Sequence, residues 1–138
     1  MASALIWPVF AAAVLFQAAD YDFKTTDQAF GKTFVSGFSM ERLAATPIWD
    51  EADDNPPVSA RAALMAAKAM RDSVAKAPEG FKWSRGSLTL MRPDEHCYWI
   101  VYFMANKEGD NGRHRFTAIV LMDGTTVKPI VKSAQQAE

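Results

Sequence analysis

Cysteine and histidine are nearly missing from this chain. Cys97, His96 and His114 are the only such residues among 138. A lone cysteine excludes an internal disulfide, and one cysteine with two histidines cannot close a four-ligand zinc site by themselves. Glycine is sparse as well. The one triplet that looks like the end of a phosphate loop, Gly31-Lys32-Thr33, has Thr26 where such a loop requires glycine, so nucleotide binding is not expected. "EGDNG", Glu108 to Gly112, lacks the later acid that would close a calcium loop. Excess charge of either sign is missing too, with a net charge of -1. The bases are scattered instead of forming a run, and proteins that track phosphate concentrate theirs on one surface. No nucleic-acid partner, metal or cofactor is therefore expected.

Apolar residues make up 49% of the chain and charged ones 22%, the balance of an ordinary globular domain. The near-zero total hides an asymmetry: residues 20–58 hold three bases against eight acids, and residues 59–138 hold twelve bases against eight acids. Four divisions follow: a hydrophobic segment 1–19, an acidic and Phe-rich connection 20–58, a folded domain 59–132 and a polar tail 133–138.

The stretch "SALIWPVFAAAVLFQAA", residues 3–19, carries no charge. As a helix it extends about 25 Å, slightly short of a hydrocarbon core of about 30 Å. A membrane anchor, a cleaved secretory signal and a buried core helix compete for it. No Lys or Arg precedes the run, and cleavage after Ala18 or Ala19 places Phe16 or Gln17 where a small residue is preferred. The expectation is export with the segment retained as a bilayer anchor and the remainder in the periplasm or extracellular space; a cleaved segment would make the protein secreted.

Between Tyr21 and Leu43, Phe30, Phe34 and Phe38 recur at helical spacing while Phe34, Ser36, Phe38 and Met40 alternate as in a strand, so neither element is assigned. These rings must nevertheless be buried against something. "TPIWDEADDNPPV" marks a boundary through its prolines and acids. Beyond it, Ser59 suits a helix cap, and Ala60, Ala63, Ala67, Met70, Val74 and Ala77 form one small-residue stripe, with Pro78 and Gly80 as the stop. Strands follow in "KWSRGSLTLMR", "HCYWIVYFMA" and "HRFTAIVLM"; Asp123-Gly124 then turns the chain into "TTVKPIV". The predicted fold class is α+β: one helix packed on a three- to four-stranded antiparallel meander, preceded by the hydrophobic helix and the Phe-rich linker.

In "DEHCYWIVYF" the cysteine and histidine are sequence neighbours, and strand geometry sends neighbours to opposite faces. They cannot share a metal or form a thiolate–imidazole pair, so no catalytic residues are predicted here. His114, between Arg113 and Arg115, suits a solvent-facing anion contact. Trp99, Val101 and Phe103 with Phe116, Ala118, Val120 and Met122 supply a core face beneath the helix. The other face still shows Tyr98, Ile100, Tyr102, Ile119 and Leu121, and an apolar patch that large requires cover. The candidates are the Phe-rich segment, a second copy of the chain, or another protein. Phe30, Phe34, Phe38, Tyr98, Ile100, Tyr102, Ile119 and Leu121 are accordingly the predicted partner-binding residues.

The segments "PPVSARAALMAAKAM", "CYWIVYF" and "FTAIVLMDGTTVKPIV" together resemble the PepSY-type and cystatin-like small α+β domains over residues 57–132. The resemblance implies an exported, often membrane-linked module that binds proteins or regulates proteases. It transfers no catalytic residue, and the single clear helix departs from the two-helix PepSY layout. The expected function is a membrane-tethered extracytoplasmic interaction module, such as an accessory subunit of a membrane complex. The alternatives are a small ligand-binding or enzymatic domain with His96 and Tyr98 facing a pocket between helix and sheet, and an exported protease regulator.

Overall fold

The computed structural model describes residues 21–133, and its first element comes from the segment whose periodicity was ambiguous. Phe23, Thr25, Asp27 and Ala29 alternate with Lys24, Thr26 and Gln28, forming strand β1 over Phe23–Ala29. Phe30 and Gly31 turn the chain with φ of 53° and 76°, and β2 returns over Lys32–Phe38 with Phe23 opposite Phe38. Two consecutive left-handed residues match the twist of a tight hairpin. The Phe-rich lead is therefore a β-hairpin, not a linker. The four-residue spacing of Phe30, Phe34 and Phe38 is incidental: one ring sits on the turn and two on a single strand face.

Ser39 Oγ accepts from the Arg42 amide and starts α1, Met40–Ala44. The acidic stretch after it is held at two points: Arg92 meets Glu51 at 3.6 Å and lies 5.5 Å from the Trp49 ring centre. Ser59 Oγ accepts from Ala62 N–H and caps α2, Ala60–Val74, as its sequence predicts. Ala63 and Ala67 are fully buried, and methyl-sized side chains at those positions let the helix lie close on the sheet beneath. That sheet is an antiparallel meander of β3 (Lys82–Met91), β4 (Tyr98–Asn106) and β5 (His114–Leu121). Two indole N–H groups fasten the helix ends: Trp99 Nε1 donates to the Val58 carbonyl at 2.9 Å and Trp83 Nε1 to that of Ala75 at 3.0 Å.

The expected fold class needs correction at two places. The body contains two three-stranded antiparallel sheets, ordered β1-β2-β6 and β3-β4-β5, instead of one meander. After the Asp123-Gly124 turn the chain pairs only briefly with β5, through Thr125, Thr126 and Val127. Then Lys128 and Pro129 intervene, and β6, Ile130–Ser133, joins β2. Proline lacks the donor a ladder needs, so it stands at the crossing between sheets.

The hairpin spans the β5 side of the second sheet. Ala29 and Phe34, near its turn, enter the cluster beneath α2 with Val101, Phe103 and Phe116. Phe23 and Phe38, at its open end, enter a second cluster with Leu43, Tyr98, Ile119, Leu121 and Val127 on the opposite sheet face. One hairpin thus completes both cores. No helix among the described residues is long and apolar enough to cross a membrane, and the expected anchor, residues 3–19, lies outside them.

Candidate functional site

The predicted partner surface is mostly interior. Phe34, Phe38, Tyr98, Ile119 and Leu121 are each at most 6% exposed, with Phe38 and Phe23 packed on the Tyr98 ring at 5.0 and 5.6 Å between centres. Of the three candidate covers for the apolar face, the chain's own Phe-rich segment takes the place over these residues. They are unavailable to a partner. Phe30, Ile100 and Tyr102 remain partly exposed. Tyr102 is also needed within the fold, since its ring lies against Gly86, at a register shift between Arg85 and Ser87, where any Cβ would collide with it.

His96 and Cys97 point apart, as alternation requires. His96 Nδ1 donates to the Thr46 carbonyl at 3.1 Å, pinning the loop after α1, while its amide meets Asp94 Oδ1. Cys97 is buried on the helix side, and burial pushes its thiol pKa up, partly opposed by Arg92. Burial likewise raises the Tyr98 hydroxyl. The ligand-pocket alternative placed both His96 and Tyr98 against a cavity. Here one binds a carbonyl and the other lies in a packed aromatic cluster.

The geometry that the sequence does not reveal lies at the hairpin turn. His114 is not a solvent-facing contact: its side chain is 17% exposed, stacked on Phe30 at 4.7 Å and edge-on to Phe81 at 5.0 Å. The Phe30 amide donates to His114 Nδ1 at 3.1 Å. Because an amide can only donate, Nδ1 must carry a lone pair, and the ring proton sits on Nε2. That proton points to Asp110 Oδ2 at 2.9 Å. The Gly112 amide on Oδ1 and the His114 contact hold the Asp110 carboxyl below its usual range.

Beside this pair runs an open groove of about 580 Å³, within the size range of ligand sites. Phe30 and Phe81 frame it, with Pro78 and the loop from Lys107 to Gly112. Lys107 Nζ stands 5.4 Å from the Phe81 ring centre, and its stem covers Gly80. Both imidazole nitrogens are already engaged, so His114 offers no free lone pair to a substrate or metal. The groove can contribute aromatic faces, shape and charge. A phenylalanine where hairpin turns favour asparagine was the one sequence signal of this site.

Strand register also separates the charges. Met91, Tyr98 and Leu121 lie side by side at the end where β1 begins, and around them gather Asp22, Glu41, Asp94, Glu95 and Asp123, against Lys24, Arg42 and Arg92. At the other end, Lys82 opposite Asn106 and His114 opposite Ala105 lie near the hairpin turn. Lys32, Lys82, Lys107, Arg113, Arg115 and Lys132 collect there, against Asp27, Glu79, Glu108 and Asp110. The chain enters the body at its acidic end, and the groove lies at the basic one.

Among the described residues, no group of three or more His, Cys, Asp and Glu side chains is placed to hold a metal ion. Compared with protein-family models, with curated proteins and with solved structures, the chain matches none.

Proposed function

We propose that this chain is a membrane-tethered extracytoplasmic interaction module, held at the bilayer by residues 3–19 and meeting a protein with the basic, aromatic end of its body. The observation that carries the reading is the separation of the two ends. The chain leaves the expected anchor and enters β1 at the acidic end, while the groove lies a seven-residue strand away, about 23 Å at the usual rise. The sheet face first expected to dock is filled by the chain's own hairpin, so the contact moves to the turn end, where Phe30 alone of the predicted residues borders the groove.

Fractionation of cells producing the full-length chain tests this. The protein is expected in the membrane fraction, digestible by protease added from outside, and to co-purify with a membrane protein after detergent extraction. Recovery of the intact full-length chain solely as a soluble monomer overturns the reading.

A further inference from the structure

Resting on the interaction-module reading, we propose that the groove end binds an extended, acidic polypeptide segment carrying an apolar side chain. Four exposed cations stand at this end: Lys107 lines the groove, and Lys32, Arg113 and Arg115 border the depressions beside it and the turn; among the described residues none has a carboxylate oxygen within 4.0 Å. Arg115 follows His114 on β5, so its side chain emerges on the face opposite to the one His114 takes, while Arg113 lies just before the strand. They border a second depression next to Thr26, Asp27 and Gln28. An acidic chain laid across the turn meets these bases in succession.

The aromatic pair supplies the other half of the recognition. Phe30 is fixed by the hydrogen bond its amide donates to His114 and by edge contacts to Phe81 and Trp83 at 5.0 and 5.5 Å. It is a rigid shelf that loses little freedom on binding, and such anchors contribute most to interfaces. Lys107 lies over part of the shelf; a carboxylate from the segment draws its ammonium aside and leaves the Phe81 face to an apolar side chain. Glu108 and Asp110 stand in the same loop. They repel a uniform polyanion, which disfavours nucleic acid, and tolerate a peptide whose carboxylates alternate with apolar residues.

The test uses the full chain in detergent micelles and a fluorescein-labelled peptide in which glutamate alternates with leucine and phenylalanine. Its controls are the same peptide with lysine for glutamate and a single-stranded oligonucleotide of similar length. Anisotropy is expected to show the glutamate peptide binding best, with affinity falling as salt rises. Arg113→Glu together with Arg115→Glu weakens it about tenfold and strengthens the lysine peptide, a reversal of preference that a misfolded variant cannot produce. Equal binding of both peptides, tighter binding of the oligonucleotide, or a double variant with unchanged preference overturns the proposal. A membrane partner that still co-purifies with the double variant removes this inference and leaves the interaction reading standing; a purely soluble chain removes that reading instead.

Discussion

The backbone amide of Phe30 and Nδ1 of His114, 84 positions apart in the chain, are joined at 3.1 Å, and their rings stack at 4.7 Å. This contact joins the two sheets at the basic end and explains why a bulky residue occupies a left-handed turn position. Left-handed backbone costs an ordinary residue about 1–2 kcal/mol. Phe30 offsets that cost through the hydrogen bond of its amide and three ring contacts, with His114, Phe81 and Trp83.

Replacing His114 by phenylalanine keeps a ring in the stack and deletes the acceptor. A half-buried amide then loses its partner, so His114→Phe is expected to lower unfolding free energy by about 1–2 kcal/mol in urea titrations. Stability equal to the parent would mean that stacking alone holds the turn.

Much of the second sheet was legible because local pattern and burial agree there. Ser59 caps the helix, Ala63 and Ala67 meet the sheet, Trp99, Val101 and Phe103 face inward together, and Asp123-Gly124 makes its turn. The hairpin was not legible, since Phe30, Phe34 and Phe38 satisfy two periods at once and no Asn-Gly pair marks the turn. The path of the last strand was equally hidden. Nothing local to Ile130 and Val131 specifies whether they pair with β5 or with β2, and only the buried hairpin decides it. The apolar surplus on Tyr98, Ile119 and Leu121 does signal a need for cover. Which of three covers it receives depends on contacts with Phe23 and Phe38 far along the chain, which spacing cannot encode. The His114 site escaped for the same reason, because its partners come from three separate segments.

Thr33, in the middle strand of the first sheet, is 3% exposed, and its hydroxyl has no hydrogen-bond partner among the described residues. An unpaired buried hydroxyl opposes folding, and valine has nearly the same shape. Thr33→Val is therefore expected to raise stability by up to about 1 kcal/mol, read as a higher denaturation midpoint at unchanged slope. A lower midpoint would show that the hydroxyl is satisfied in solution.

Cys97 combines complete burial with a thiol pKa pushed up by that burial. Thiolate is the reactive form, so both effects suppress alkylation. Iodoacetamide is expected to label the native protein only as fast as the body opens, and rapidly above the urea midpoint. Fast labelling in native buffer would place the side chain at a surface and contradict its position under α2.

Acid should weaken the protein through two aspartates. The Thr125 hydroxyl, at 2.6 Å, does most to hold the Asp123 carboxyl below its usual range, while the Gly112 amide does the same for Asp110. A carboxyl whose folded pKa is depressed adds stability in full above its unfolded value, near about 3.9, and loses it as pH falls through the lower folded value. Denaturation midpoints are therefore expected to fall below about pH 4. Asp123→Ala removes one of these contributions: its stability at neutral pH is lower than the parent's, and the two curves converge as acid protonates the parent's carboxyl. Parallel curves across the acid range would show that the turn's bond to Thr125 does not favour the ionised form, and that the Asp123-Gly124 turn is held by backbone geometry alone.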